Sequence, residues 1–103
     1  MKLFKLLILL LLSCSTAYAK DLLVIGADWC PYCVKQKQYM KDNPDIIKNF
    51  DLEYIDIDEH PELVNKLHIK VYPTSFIFDN DKKIGELRGF TPYNFTEWLK
   101  KYE

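Results

Sequence analysis

Apolar positions over residues 20–103 fall into short continuous runs separated by helically spaced stretches, a pattern that predicts a sheet with helices packed on it. The run 22–26, Leu-Leu-Val-Ile-Gly, is apolar throughout and reads as a buried strand. Residues 31–42 read as a helix opened by Pro31 in its first turn. Asn43-Pro44 interrupts that helix, and Ile46, Ile47 and Phe50 are expected to pack a short helical continuation. Residues 52–57 alternate as a second strand, and 58–67 read as a short helix with Pro61 in its first turn. The aromatic and β-branched stretch 74–79 is a third strand; Asn80-Asp81 then signals a turn into an antiparallel fourth strand over 83–88, ended by Gly89. Thr91 suits an N-cap with Pro92 at the first helical position, opening a last helix to Tyr102. Phe95, Trp98, Leu99 and Tyr102 recur at helical spacing and are expected to face the sheet. The expected fold is α/β, in the order β-α-β-α-β-β-α, with no repeat or linker dividing residues 20–103.

A different pattern precedes it. Lys2 and Lys5, the apolar segment 6–12 and Ala17-Tyr18-Ala19 have the layout of an export signal cleaved after Ala19. Residues 1–19 are therefore expected to be removed and 20–103 to function in a periplasm or outside the cell. The apolar segment falls short of the ~20 residues of a membrane span. Leu11-Leu12-Ser13-Cys14 permits a second reading, a lipobox that would acylate Cys14 and anchor the protein. Under the first reading only Cys30 and Cys33 remain. Exported domains stapled by disulfides usually carry four or more cysteines, so a single close pair is expected to react rather than to staple. The whole chain has a net charge of −1, and loss of Lys2 and Lys5 makes the remainder more acidic. That balance excludes a basic surface for nucleic acid and a polybasic membrane patch.

The chemistry concentrates in Trp29-Cys30-Pro31-Tyr32-Cys33. A strand running into a helix there puts Cys30 at the helix N-terminus, where unpaired N–H groups and the positive end of the dipole favour a thiolate. Cys-x-x-Cys motifs lower a thiol pKa from about 8.5 to roughly 3.5–7.5. Cys33, one turn on, is within reach of Cys30, so one sulfur can attack a foreign disulfide and the other resolve the mixed disulfide. Cys30 is the expected nucleophile and Cys33 the resolving thiol. Trp29 is expected on the surface beside Cys30; Tyr32 either contacts substrates or covers the helix end. A structural zinc would need four ligands, and the only spare candidates, His60 and His68, lack ligand-like spacing, so no metal is expected. Nor is a bound cofactor.

Taken together, this motif at a strand–helix junction, Val71-Tyr72-Pro73-Thr74 at the start of the third strand and Gly89 after the fourth resemble the thioredoxin-like superfamily. The resemblance covers residues 20–103 and implies a minimal core with a four-stranded mixed sheet flanked by helices. It implies a cis bond before Pro73, which would lie against the cysteine pair, with the backbone before it pairing with an extended substrate segment. Trp29, Pro31, Tyr32, Tyr72 and Pro73 would thus border the substrate. The implied activity is thiol–disulfide exchange with exported proteins by a monomer, served by a membrane-bound or soluble redox donor or acceptor. Three departures stand out. The extra N-terminal strand and helix of thioredoxins are missing from 20–103. Pro31-Tyr32 matches glutaredoxins, yet Val71-Tyr72-Pro73 and Arg88-Gly89-Phe90 do not match their glutathione site. Val24 falls where thioredoxins carry a buried acid that helps deprotonate the second cysteine. Glutathione-linked reduction and non-catalytic binding of extended peptides are the alternatives to protein disulfide exchange.

Overall fold

The computed structural model describes residues 19–103. The signal and lipidation features at Lys2, Lys5, 6–12, Cys14 and Ala17-Tyr18 lie outside the described residues. The elements are β1 (Lys20–Gly26), α1 (Pro31–Asp42), a 3₁₀ turn (Pro44–Ile47), β2 (Phe50–Asp56), α2 (Leu63–Lys66), β3 (Thr74–Asp79), β4 (Lys82–Arg88) and α3 (Pro92–Lys100).

The sheet order is β2-β1-β3-β4. β1 pairs parallel with β2, Val24 opposite Tyr54, and antiparallel with β3, Val24 opposite Ser75. Residues directly opposite on paired strands share a face, so Tyr54, Val24 and Ser75 form one row across the sheet. β3 and β4 form a hairpin whose turn residues Asn80 and Asp81 both have positive φ, 51° and 66°, the geometry of a type I′ turn. Among the described residues β2 is an edge strand, carrying Asp51, Glu53 and Asp56.

Each sheet face carries its own cluster. Met40 of α1 and Phe95, Trp98 and Leu99 of α3 pack with Leu22, Val24, Phe50 and Ile77. On the other face Ile25, Ile57, Ile69 and Phe76 pack with Leu63, Val64 and Leu67. The last helix starts as its sequence dictates: Asn94 N–H donates to Thr91 Oγ1 at 3.1 Å, and Pro92 fills the first helical position.

Three boundaries depart from the sequence reading. Phe50 begins β2 rather than extending a helix, because β1 reaches back to Lys20 and pairs with it. The expected helix over 58–67 shrinks to Leu63–Lys66. Asp56 Oδ1 accepts Asp58 N–H at 2.9 Å, and the following N–H groups of Glu59, His60, Leu63 and Val64 bond three residues back, a succession of tight turns through Pro61. α3 ends at Lys100, and its last turn tightens in the same way, Lys101 N–H reaching Trp98 and Tyr102 N–H reaching Leu99.

Candidate active site

β1 delivers the chain to the C-terminal end of the sheet and α1 begins there. Cys30 is the N-cap of α1, with extended backbone (φ −99°, ψ 113°), and its sulfur accepts the Cys33 N–H at 3.2 Å. Pro31 occupies the first helical position, where its missing N–H leaves no bond unmade. No acidic residue lies in that first turn, so no carboxylate within the helix start offsets its amide dipoles. Cys30 and Cys33 are joined as a disulfide, their Cα atoms 5.2 Å apart. Cys33 is fully buried and Cys30 only 5% exposed, whereas Trp29 and Tyr32 stand 61% and 57% exposed beside them.

The loop before β3 forms the facing wall. The Tyr72–Pro73 peptide bond is cis, and the Tyr72 carbonyl oxygen lies 3.5 Å from Cys30 Sγ. Thr74 Oγ1 donates to the Val71 carbonyl at 2.7 Å. Gly89 N–H donates to the Pro73 carbonyl at 2.7 Å, a bond reached with Gly89 at φ +83°, where an L side chain is strained. Trp29 meets Tyr72 edge-on at 5.5 Å and donates its indole N–H to both carboxylate oxygens of Asp58, at 3.0 and 3.2 Å. Lys35 Nζ sits 5.5 Å from the Tyr32 ring centroid.

Polar groups continue beneath the sulfurs. Gln36, one turn after Cys33 and wholly buried, donates from Nε2 to Ser75 Oγ at 3.1 Å. Its Oε1 and the hydroxyl of Tyr54 are sealed from solvent with no hydrogen-bond partner among the described residues. Val24 lies between Tyr54 and Ser75 in register, itself fully buried. The Tyr54 phenol is held above its ordinary pKa, first by burial and then by the carboxylates of Asp56 and Asp28.

The fold thus gathers Trp29, Cys30, Pro31, Tyr32 and Cys33 from the β1–α1 junction and Tyr72 and Pro73 from the loop opposite. Sequence reasoning passed over Asp58, Tyr54 and Gln36. Gln36 was detectable, since Cys33, Gln36 and Met40 share the buried face of α1 and only one of them is strongly polar. Asp58 and Tyr54 become visible only once β2 is in register with β1. His60 is a surface residue 3.3 Å from Glu62. Among the described residues no group of three or more His, Cys, Asp or Glu is placed to hold a metal ion.

A Cys-x-x-Cys disulfide at a strand–helix junction, on a β-α-β-α-β-β-α scaffold, defines a thiol–disulfide oxidoreductase of thioredoxin-like fold. The family model for thioredoxin matches residues 16–101, and the chain belongs to that family. Among solved structures it resembles a crystal structure of Plasmodium falciparum thioredoxin, with 27% identity over 91% of this chain and 80% of that one and a TM-score of 0.70. The oxidised thioredoxin of the same organism in solution matches at 20% identity over 82% and 81%, TM-score 0.72. Fasciola hepatica thioredoxin matches at 16% identity over 93% and 91%, TM-score 0.74.

Proposed function

We propose that this thiol–disulfide oxidoreductase is exported, that it acts on the disulfides of other exported proteins, and that Cys30 is its attacking sulfur. The observation that carries the reading is the Cys33 N–H held 3.2 Å from Cys30 Sγ at the N-cap of α1. A hydrogen bond to a charged acceptor is stronger than to a neutral one, so the bond and the helix dipole both favour the thiolate. In the reduced protein the Cys30 thiolate attacks one sulfur of a client disulfide, forming a mixed disulfide and releasing the other client sulfur as thiolate. Cys33 then loses its proton and attacks Cys30 Sγ. The Cys30–Cys33 disulfide forms, and the second client sulfur leaves. The client has gained two electrons and the enzyme has lost two. Run backwards, the same steps oxidise a client.

Trp29, Pro31 and Tyr32 on one side and Tyr72 and Pro73 on the other border the path to Cys30. An extended client segment pairs with the backbone at Val71 and Tyr72, which brings its sulfur toward Cys30. Val71 is 41% exposed and leaves that backbone approachable. The thioredoxin-like loop and strand pattern favours reduction or general interchange as the net direction. Ala17-Tyr18-Ala19 supports release as a soluble protein, and Leu11-Leu12-Ser13-Cys14 supports a second outcome, a lipid anchor. The mass of the protein recovered from an exporting host separates a chain beginning at Lys20 from one acylated at Cys14.

The test of the activity is reduction of insulin disulfides by residues 20–103 with dithiothreitol. Cys30→Ser abolishes it, and Cys33→Ser accumulates client proteins as mixed disulfides. Unchanged turnover in Cys30→Ser refutes the assignment.

A further inference from the structure

Resolution of the mixed disulfide requires Cys33 to give up a proton, yet Cys33 is fully buried and Val24, where the resemblance expects a buried acid, has nothing to titrate. A hydroxyl that the exchange steps leave unused lies across Gly26. A methyl built on Gly26 would fall 3.2 Å from Cys33 Cβ and 2.8 Å from Tyr54 Cζ, and would collide with the Tyr54 hydroxyl. The phenol tip and Cys33 therefore border the same small space, which exists because residue 26 has no side chain. A tyrosine hydroxyl sealed from solvent without a partner is costly in any state that leaves it so. In the disulfide form Tyr54 is in that position among the described residues.

We propose that Tyr54 is the hydrogen-bond donor to the Cys33 sulfur once the disulfide opens, stabilising the thiolate that resolves the mixed disulfide. The inference rests on the exchange reaction proposed above and deepens it. The groups facing the phenol fit a donor role. Asp28 from the β1–α1 loop and Asp56 from β2, with burial, keep it protonated. Lys37 of α1 caps its ring face, Nζ 4.5 Å from the centroid, and leaves the hydroxyl end toward Gly26 and Cys33. A neutral phenol is no base. The Cys33 proton goes to solvent or to the departing client thiolate, and Tyr54 stabilises the sulfur anion left behind.

The test is the rate at which Cys33 resolves a mixed disulfide formed between Cys30 and a small aromatic thiol, followed against pH in the wild type, Tyr54→Phe and Tyr39→Phe. Tyr39 is the control, a phenol on the helix that carries Cys33, whose hydroxyl bonds Thr96 of α3 at 2.8 Å. Tyr54→Phe is expected to slow resolution about tenfold near neutral pH, the weight of one hydrogen bond to a charged sulfur, with the deficit closing at high pH where Cys33 ionises unaided. Tyr39→Phe leaves the profile unchanged. Unfolding of each redox form supplies a second readout. Tyr54→Phe stabilises the oxidised protein, by removing an unpartnered hydroxyl, and destabilises the reduced one. Gly26→Ala, which displaces the phenol, reproduces the Tyr54→Phe profile. An unchanged profile in Tyr54→Phe, slowing by one factor at every pH, or a stability change of the same sign in both forms would overturn the proposal. None of these results touches the assignment of Cys30, which the Cys30→Ser assay decides.

Discussion

The buried pair Gln36–Ser75 offers a double substitution whose outcome runs against the usual expectation for core hydrogen bonds. Gln36 is fully buried, gives one N–H to Ser75 Oγ at 3.1 Å, and leaves its carbonyl oxygen without a partner among the described residues. Ser75→Ala strands the Gln36 amide as well, a loss of about 1–3 kcal/mol. Gln36→Leu strands the Ser75 hydroxyl but also removes the carbonyl that was already unpaired. Its two opposing contributions are of similar size, about 1–3 kcal/mol each, and nearly cancel. Gln36→Leu with Ser75→Ala leaves no polar atom to satisfy, and the double variant is expected to equal the wild type or exceed it by about 1 kcal/mol. For a domain of this size that separates Ser75→Ala from the double variant by at least ~4 °C in Tm. Urea unfolding of the oxidised proteins, read as Cm at constant m, measures the cycle. If the two single effects add to give the double within about 0.5 kcal/mol, the polar atoms do not act as a unit and the reasoning is refuted.

Thr91→Ala removes the acceptor for Asn94 N–H and is expected to cost about 1 kcal/mol, with Thr91→Ser restoring most of it in thermal melts. Gly89→Ala forces a side chain onto φ +83° at a cost of about 1–2 kcal/mol. It should also disturb the loop carrying Pro73, visible as slower insulin reduction. Asp81→Gly, at φ 66° in the hairpin turn, should raise the urea midpoint by up to ~1 kcal/mol equivalent. The Tyr54 pKa is raised in the folded protein, so the stability linked to its proton is complete below about pH 10, the value in the unfolded chain. It is lost as pH climbs from there through the folded value. Tyr54→Phe should flatten that alkaline decline in urea midpoints.

Most of the architecture was legible because its signals are local. The continuous apolar run ending at Gly26, the Pro31 and Pro92 helix starts and the Asn80-Asp81 turn each specify structure within a few residues. The stretch 58–67 misled because Pro61 marks a helix start as readily as a turn. What decided it was the Asp56 carboxylate capping Asp58 N–H, a bond that depends on where β2 ends. The cysteine motif and the Tyr72–Pro73 loop could be brought together by family resemblance. The support around them could not, since Asp58 beneath the Trp29 indole and Tyr54 over Gly26 are joined through strand register, separated by 29 and 28 positions in sequence. No helical or strand periodicity encodes such pairs.

The acidic fringe of β2 has a consequence for how the protein behaves in a crowd. An unprotected outer strand invites a neighbour to lie down beside it. Asp51 and Glu53 are exposed on that rim, so a second copy approaching it edge to edge meets matching negative charge. Like charges therefore oppose edge-to-edge stacking at that rim.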